Sequence, residues 1–540
     1  MLNLSLSAPH LDPVMVMCDP DQLDAWLQHL PYTQPYDCAH TIRDALAQLN
    51  CIKLPPSSRL QLLRLYLQAQ DRLLPVLEAE ARPGELTTFS RARRAALLAQ
   101  HLSILIHNGF KRVLLDRSQE HGLFALDRHK IEALNLTMLS ARQLALLYAR
   151  TYTTAPPGFW RDCHQIFLYA LEQGWEAKSL NEKEDSVGSL YRQLLLLGMT
   201  SCNRMEPALI DYTLLLIRKY AKCLHLVQVD RLPERHGAFA YRSEQDGPPR
   251  FCSEAASLGQ VFWIVDTQHL QQEMLEKLLS LQRLLQNRSD DTLLAEELQR
   301  VLRLMQEWQS APQRRYPRHD SHQDVEVVTL LPTCWFIANQ AEWDFPPLAA
   351  AASQADDAAN PASLPEADTL HALPDDVPPP PPRFQRPLPA TPSRLTMLNL
   401  SAGGMLLRGE SHHHPLRTGE LAMLRVPGKA WHLASVRWVN LRGEGMEAEC
   451  GLEQLGPLPE AVMVMPVITH PNDQFQMALL LTPPAGHGRK PMLVLSGRPY
   501  QKLREFRLLT RHGEQLVRFT ALDAQTAYYQ FVEFQPSSAF

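Results

Sequence analysis

Cysteine pairs are missing from this 540-residue chain: its nine cysteines are scattered between Cys18 and Cys450, and none forms a CxxC. An odd, scattered set argues against a disulfide framework, so we expect reduced thiols in the cytoplasm. No run of about 18 apolar residues occurs, so no membrane span is expected. The opening "MLNLSLSAPHLDP" lacks a positive segment before a long apolar stretch, and we therefore expect no signal peptide.

The chain also has little net charge. Its formal value is −5, which argues against a general affinity for nucleic acid, although a local basic patch is compatible with it. Apolar residues make up 45% of the sequence, enough to build hydrophobic cores. At about 100–200 residues per domain, the length predicts two to four domains.

Common catalytic motifs are absent as well. HExxH, Walker A and GxSxG runs do not occur, and "LGMTSCNRM" is therefore no nucleophile elbow. His412, His413 and His414 are adjacent, so they cannot all face one metal ion, and a polar loop is the better interpretation. "GHGRK" at Gly486 fits a hairpin turn better than a phosphate site. We expect a binding protein rather than an enzyme, without a metal ion or a cofactor.

Residues 1–230 have the apolar spacing of helices. In "PSSRLQLLRLYLQAQDRLLPVLEAEA", leucines recur on one helical face, at Leu60, Leu63, Leu67, Leu74 and Leu77. Ser58 and Gln61 have the spacing of a capping box, which predicts that the helix begins there. Similar patterns follow, several of them separated by Pro or Gly. We predict a stack of short amphipathic helices, without the fixed period of a named repeat family.

The pattern changes over residues 231–311. "GAFAYRS" and "VFWIVDT" are typical of extended chain. Two helical stripes follow, one at Leu270, Met274, Leu278, Leu281 and Leu285, the other at Leu294, Leu298, Val301, Met305 and Trp308. A turn at 287–291 separates them, which predicts a helical hairpin.

Residues 339–387 are rich in Ala, Pro and Asp. The stretch "AAAASQADDAANPASLPEADTLHALPDDVPPPPP" contains no Lys or Arg and few large apolar residues. Such a composition cannot bury enough surface to offset chain entropy. We predict a disordered acidic insertion.

Strand signals dominate the remainder. Short apolar runs with turn residues between them begin near Arg394 and continue to the end of the chain. They predict an antiparallel β-barrel formed by 312–338 and 388–460, followed by a strand-rich carboxy-terminal extension over 461–540. The fold class is therefore multidomain α + β, with an all-α amino-terminal region.

Two motifs flank the insertion. "QRRYPRHDSHQDVEVVTLL" begins at Gln313 and contains Arg314, Arg315 and Arg318 just before an alternating apolar run, with the spacing RxxxR. "NLSAGGM" follows about eighty residues later and contains Asn399, Ser401 and Gly404, an NxSxxG. In this order and in a barrel context, the two motifs resemble the PilZ domain, a bacterial receptor for cyclic di-GMP.

The resemblance extends beyond the motifs. Gly419, the strand "ASVRW" with Val436 and Arg437, and "CGLEQL" with Gly451 and Leu452 follow the PilZ pattern. It covers residues 312–338 and 394–456, and the two motifs lie about fifty residues further apart than is usual. The stretch "LPYTQPYDCAHTIRDALAQLN…LPPSSRLQLL" is similar to the amino-terminal region of a group of proteobacterial PilZ proteins.

The resemblance implies a cytoplasmic signalling protein that binds cyclic di-GMP and regulates motility or biofilm formation. Its implied ligand-binding residues are Arg314, Arg315, Arg318, Asn399, Ser401 and Gly404. A guanidinium fits both guanine O6/N7 and phosphate oxygens, so arginines before the first strand suit this ligand. An unidentified protein partner would then contact the helical region and receive the signal.

Two alternatives stay open. Some PilZ domains have lost the ability to bind the ligand. In the first alternative, the chain is therefore a nucleotide-blind adaptor that acts through protein contacts in pilus or flagellar regulation. In a further alternative, the chain is a helical scaffold and the barrel serves only as its dimerisation module. The sequence leaves the partner, the cellular output and the oligomeric state open.

Overall fold

The computed structural model describes residues 2–7, 16–81, 91–120, 127–179, 185–230, 239–251, 262–288, 291–309, 316–345, 391–410, 414–442, 447–468, 474–482, 490–497 and 499–537. The chain forms two compact units. The helical unit comprises Met1–Arg315 with Val439–Ala448, and the barrel unit comprises Tyr316–Trp438 with Glu449–Phe540.

Helices make up most of the helical unit. Those before residue 221 are α1 (Pro20–Gln28), α2 (Pro35–Asn50), α3 (Pro56–Glu80), α4 (Arg91–Ser118), α5 (Asp127–Arg150), α6 (Phe159–Glu172), α7 (Val187–Gly198) and α8 (Pro207–Tyr220). Of the leucines predicted to line one face of α3, Leu60, Leu63 and Leu77 are buried. The all-α character predicted for this region is confirmed in outline.

Local sequence explains where several of these helices begin. Proline stands at the first helical position of α1, α2, α3 and α8, where its missing N–H costs nothing. The Asp19 side chain accepts a hydrogen bond from the Gln22 N–H at 2.9 Å and caps α1. Helix α3 begins at Pro56, so the predicted capping box at Ser58 and Gln61 is wrong: both lie inside the helix.

A small antiparallel sheet follows α8. Its strands are β1 (His225–Val229), β2 (Phe239–Tyr241), β3 (Arg250–Phe251) and β4 (Phe262–Asp266), in the order β1-β4-β2-β3. β1 lies within the stretch predicted to be helical. The structure ends α8 at Tyr220 and turns the chain through a short 3-10 segment at Ala221–Cys223, after which β1 pairs with β4.

Helices α9 (Gln268–Asn287) and α10 (Thr292–Gln309) pack against each other as a hairpin. Four of the five residues predicted for the first stripe are buried: Leu270, Met274, Leu278 and Leu281. In the second helix Val301, Leu304 and Trp308 are buried. The Trp308 indole N–H donates to the Thr200 hydroxyl at 2.9 Å, which ties the end of α10 to the residues after α7.

The first barrel consists of β5 (His319–Thr329), β6 (Ser393–Ser401), β7 (Gly404–Gly409), β8 (Leu421–Arg425), β9 (His432–Arg442) and β10 (Glu447–Pro457). Among the described strands the order is β10-β7-β6-β5-β8-β9, and the sheet closes on itself. Val327 faces Leu424 and Val325 faces Leu395 across paired strands, and all four are buried in the barrel interior. The predicted barrel fold is confirmed.

The strand-rich extension is itself a closed barrel. Its strands are β11 (Glu460–Pro466), β12 (Gln476–Leu481), β13 (Met492–Ser496), β14 (Glu505–Thr510), β15 (Gly513–Gln525) and β16 (Tyr529–Pro536), in the order β11-β12-β13-β16-β15-β14. Its interior is apolar and includes Phe506, Leu508, Val517, Phe519 and Val532. Alternating strand patterns indicated the strands, whereas their closure was not predicted.

A short helix, α11 (Leu331–Ala338), joins the two barrels into one core. The Trp335 indole N–H donates to the Val462 carbonyl oxygen at 2.9 Å. Within the first seven residues of the predicted disordered insertion, 339–345, Asn339 and Phe345 are buried, so this part of it is anchored at both ends. The remainder of that predicted insertion, 346–387, lies outside the described residues.

Candidate functional site

The predicted ligand residues that the structure describes lie at one end of the first barrel. Arg318 immediately precedes β5 and is exposed. Asn399 and Ser401 end β6, and Gly404 opens β7. Arg314 and Arg315 lie outside the described residues.

Strand register brings Arg318 to the NxSxxG turn. His319 is paired with Leu400 and Asp320 with Asn399. Arg318 is the residue just before β5, and continuing this register by one residue brings it level with Ser401. The Tyr316 ring lies over Gly403: a Cβ at that glycine would be 2.9 Å from ring atom Cδ2. Tyr316, two residues before Arg318, therefore lies directly over the turn between β6 and β7.

An irregularity at Leu398 decides which way the site residues face. Met397 is paired with Leu407, but Asn399 is paired with Leu406, so β6 has one extra residue between the two pairs. Met397 and Leu407 are both buried in the interior. Because paired residues share a face of the sheet, Asn399 then lies on the outer face with Leu406. Without the extra residue it would continue the inward row.

The same face continues onto β5. The pairing of β5 with β6 also shifts here, between Asp320 and Gln323, and Asp320 is opposite Asn399. Three strands therefore present Asp320, Asn399 and Leu406 side by side on the outer surface, and Arg318, Ser401 and Gly404 form the next row. We call these two rows the outer-face site.

Two residues of the NxSxxG motif also hold the turn together. The Ser401 hydroxyl donates to the Gly404 carbonyl oxygen at 3.0 Å. A Cβ at Gly404 would overlap the carbonyl oxygen of Leu452 on the neighbouring strand β10. The Gln454 N–H donates to the Gly403 carbonyl oxygen at 3.3 Å. The glycine at 404 is therefore required by the close approach of backbone from β10.

An ion pair borders the site on the β10 side. Arg437 on β9 pairs with Glu453 on β10, and both side chains are substantially exposed. The Glu453 Cα lies close to Gly404, at 3.2 Å from the position that a Cβ would take there. Arg437, noted in the sequence for its place in the PilZ pattern, is thus near the turn but already engaged by a carboxylate.

The sequence analysis singled out neither Tyr316, which lies beside the outer-face site, nor Asp320, which lies within it. Tyr316 lies between the arginines in "RRYPR" and is 51% exposed, so an aromatic face is available beside the turn. Asp320 lies two residues after Arg318, and only the pairing with Asn399 shows that it belongs to the site. The position of Tyr316 among arginines could have been recognised in the sequence. The pairing of Asp320 with Asn399 could not, because it is visible only in the structure.

The helical unit contains buried polar groups that serve its own packing. The Lys111 ammonium and the Asp162 carboxylate form a buried ion pair at 2.6 Å, and Asp162 also accepts from the Ser5 N–H at 3.0 Å. Burial, with a smaller contribution from Lys111, lowers the pKa of His107 to about 3. Burial lowers the pKa of His164 to about 4. These groups are enclosed and do not form an open site.

An open cleft of about 450 Å³ also lies in the helical unit. Tyr148, Tyr152 and Trp160 form part of its lining, with Asp246 beside them. Asp246 accepts from the Gly158 N–H at 2.6 Å and the Trp160 N–H at 3.0 Å, at the amino end of α6. Its carboxylate therefore already satisfies this helix end, where an anionic ligand would otherwise bind.

A metal centre is not found in the described part of the chain. Among the side chains that the structure describes, no three His, Cys, Asp or Glu residues converge as metal ligands. His414 is buried, and its Nε2 is 2.9 Å from the Thr391 carbonyl oxygen, a structural contact. Within the described ranges, no helix is both long and apolar enough to cross a membrane.

By fold, the chain joins a helical unit to two closed six-stranded barrels, the first with a polar outer-face site. Residues 21–231 match the family described as "Cyclic-di-GMP receptor FimW, N-terminal domain". The chain is also 25% identical to the "Cyclic-di-GMP receptor FimW" of Pseudomonas aeruginosa, over 95% of this chain and 90% of that protein. No solved structure matches the chain.

Proposed function

We propose that this protein is a receptor for cyclic di-GMP and that the dinucleotide binds at the outer-face site of a PilZ-like barrel. The observation that carries the proposal is the register of β5 with β6, which pairs Asp320 with Asn399 and so brings Arg318, just before β5, to the end of β6 at Ser401. It unites two motifs about eighty residues apart in the sequence. The similarity to a protein described as a cyclic di-GMP receptor supports the same ligand.

Each side chain of the site suits a part of this ligand. A guanidinium at Arg318 donates two parallel hydrogen bonds to guanine O6 and N7 or to phosphate oxygens. The Asn399 amide and the Ser401 hydroxyl add short neutral hydrogen bonds. The exposed ring of Tyr316 offers a flat apolar surface for a purine base. Arg314 and Arg315 immediately precede Tyr316 and supply further positive charge.

Gly404 acts in this proposal through the shape of the turn. Because Leu452 backbone occupies the place of a Cβ, the turn stays tight, and the Ser401 hydroxyl remains able to accept a hydrogen bond from a ligand. In this proposal Gly404 of the motif allows the strands to pack closely, and Ser401 binds the ligand.

The output is proposed to pass to a protein partner that contacts the helical region, in the cytoplasm, and to affect motility or biofilm formation. Binding rather than catalysis is the proposed activity. The match of residues 21–231 to a family named for a cyclic di-GMP receptor supports a signalling role for the helical region.

Calorimetric titration of the full chain with cyclic di-GMP tests the proposal. We expect micromolar or tighter binding and little heat with GTP or cyclic AMP. Arg318→Ala should weaken binding roughly 10- to 100-fold, because hydrogen bonds to charged groups contribute about 1.5–3 kcal/mol. Arg394→Ala is the matched control, since Arg394 is an exposed arginine on β6 that faces Glu326 away from the turn.

The second candidate function is that of a nucleotide-blind adaptor. It is favoured by one observation: the Ser401–Gly404 hydrogen bond and the approach of Leu452 give the motif a structural reason without any ligand. An absence of heat and of a thermal shift at high cyclic di-GMP would support the adaptor and contradict the receptor.

A further inference from the structure

Asp320 introduces a carboxylate into a site otherwise suited to an anion. It is exposed and paired with Asn399, and the exposed Arg318 lies two residues before it. A carboxylate facing ligand phosphates would oppose binding by like-charge repulsion. Its presence therefore requires a donor group on the ligand, or a role confined to the protein.

Guanine supplies such donors. Besides the O6 and N7 acceptors, its Watson–Crick edge carries N1–H and the N2 amino group, two donors side by side. A carboxylate presents two acceptor oxygens and no donor, so it matches that edge. The Asn399 amide has one oxygen and an NH2 group that would itself face a donor. The NxSxxG motif itself contains no carboxylate. Strand β5 supplies one, because Asp320 is paired with Asn399 of the motif.

We infer that Asp320 reads the N1–H and N2-amino edge of a guanine base held at the outer-face site, and so selects guanine over adenine and hypoxanthine. This inference rests on the proposed function. A site built to hydrogen-bond a donor discriminates strongly against an analogue that lacks it, because the acceptor that the ligand covers is then left unpaired. Adenine offers an acceptor at N1, which would meet the carboxylate unfavourably.

The competing role is that Asp320 merely orients Arg318, two residues before it in the sequence. The two roles differ in selectivity. An orienting carboxylate supports contacts that every cyclic dinucleotide makes through its phosphates, so its loss weakens all of them equally. Loss of a base-reading carboxylate weakens a guanine ligand most, a hypoxanthine ligand, which keeps N1–H but lacks the N2 amino group, less, and an adenine ligand least.

The experiment titrates the full chain with cyclic di-GMP, cyclic di-IMP, which lacks the N2 amino group, and cyclic di-AMP. The wild type should bind cyclic di-GMP roughly 10-fold tighter than cyclic di-IMP and bind cyclic di-AMP most weakly. Asp320→Ala should weaken cyclic di-GMP roughly 10- to 100-fold and reduce the difference from cyclic di-IMP to less than about 3-fold. Asp324→Ala is the control: it is an exposed aspartate of the same strand, paired with Thr396.

The outcomes separate the inference from the proposed function. If the wild type binds no cyclic di-GMP, the proposed function fails and this inference fails with it. If the wild type binds but Asp320→Ala binds equally well or more tightly, Asp320 does not read the base, and the receptor function stands. An equal loss for all three dinucleotides would assign Asp320 to orienting Arg318 and would also overturn the inference.

Discussion

The β6–β7 and β14–β15 hairpins have the same hydrogen bond in the turn, but the residue two positions before the turn faces outward in the first and inward in the second. In the first, the Ser401 hydroxyl donates to the Gly404 carbonyl oxygen at 3.0 Å, and in the second the Thr510 hydroxyl donates to the Gly513 carbonyl oxygen at the same distance. Each hydroxyl residue is paired across the hairpin with its glycine. A hydroxyl residue followed three positions later by glycine is thus a way to close a hairpin, and it does not by itself indicate a ligand.

The two hairpins differ in the strand that precedes the turn. β14 pairs with β15 without a shift of register, and Leu508, two residues before Thr510, is fully buried in the second barrel. On β6 the extra residue at Leu398 places Asn399, two residues before Ser401, on the outer face instead. The irregularity, more than the turn, makes the first hairpin a candidate site.

The largest expected effect comes from exchanging the residues at these equivalent positions. Leu508→Asn should lower the free energy of unfolding of the barrel unit by about 3–5 kcal/mol, because it removes core packing and buries an amide. Asn399→Leu should change it by less than about 0.5 kcal/mol and weaken cyclic di-GMP binding roughly 3- to 10-fold. Hydrogen exchange on the strands and titration measure the two quantities.

Similar losses of stability from both exchanges would contradict the assignment of opposite faces. Leu508→Val serves as a control for the first variant, since it keeps the position apolar and should cost much less.

The next largest effect distinguishes the two turn glycines. Gly404→Ala should destabilise the first barrel by about 2–3 kcal/mol, since its Cβ overlaps the Leu452 carbonyl oxygen and backbone has to move. At Gly513 nothing lies within 4 Å of the position that a Cβ would take, so Gly513→Ala carries only the cost of its φ of 136°, about 1 kcal/mol. Exchange protection of the β7 and β15 amides measures each loss, and equal losses would refute the packing role of Gly404.

The smallest effect tests the contact between Tyr316 and the turn. Gly403→Ala should displace the Tyr316 ring, which can rotate away, and should leave barrel stability within about 0.5 kcal/mol of the wild type. Cyclic di-GMP affinity should fall several-fold if the ring supports a base. Tyr316→Phe controls for the hydroxyl and should bind normally. Unchanged affinity in Gly403→Ala would remove Tyr316 from the site.

The sequence predicted those features that depend on near neighbours. The stripe on α9 was correct because a helix brings residues three and four apart onto one face. One error occurred where two local signals competed: the Ser58 capping pattern lies inside α3 because Pro56 begins the helix earlier. Another occurred where a distant partner decided the structure: β1 forms because it pairs with β4.

What the sequence alone determined was the pair of motifs and the strand periodicity of the region that contains them. Tertiary structure decided how they meet. β5 pairs with β6 across the residues that separate the motifs, and this places Asp320 beside Asn399 and brings Arg318, just before β5, to the end of β6 at Ser401. Which face Asn399 occupies depends on one extra residue, because a shift of one position in a strand turns every following side chain to the other side. The periodicity of a strand shows only that successive side chains alternate between the two faces of the sheet. Which face a given side chain occupies follows from the pairing with the neighbouring strand.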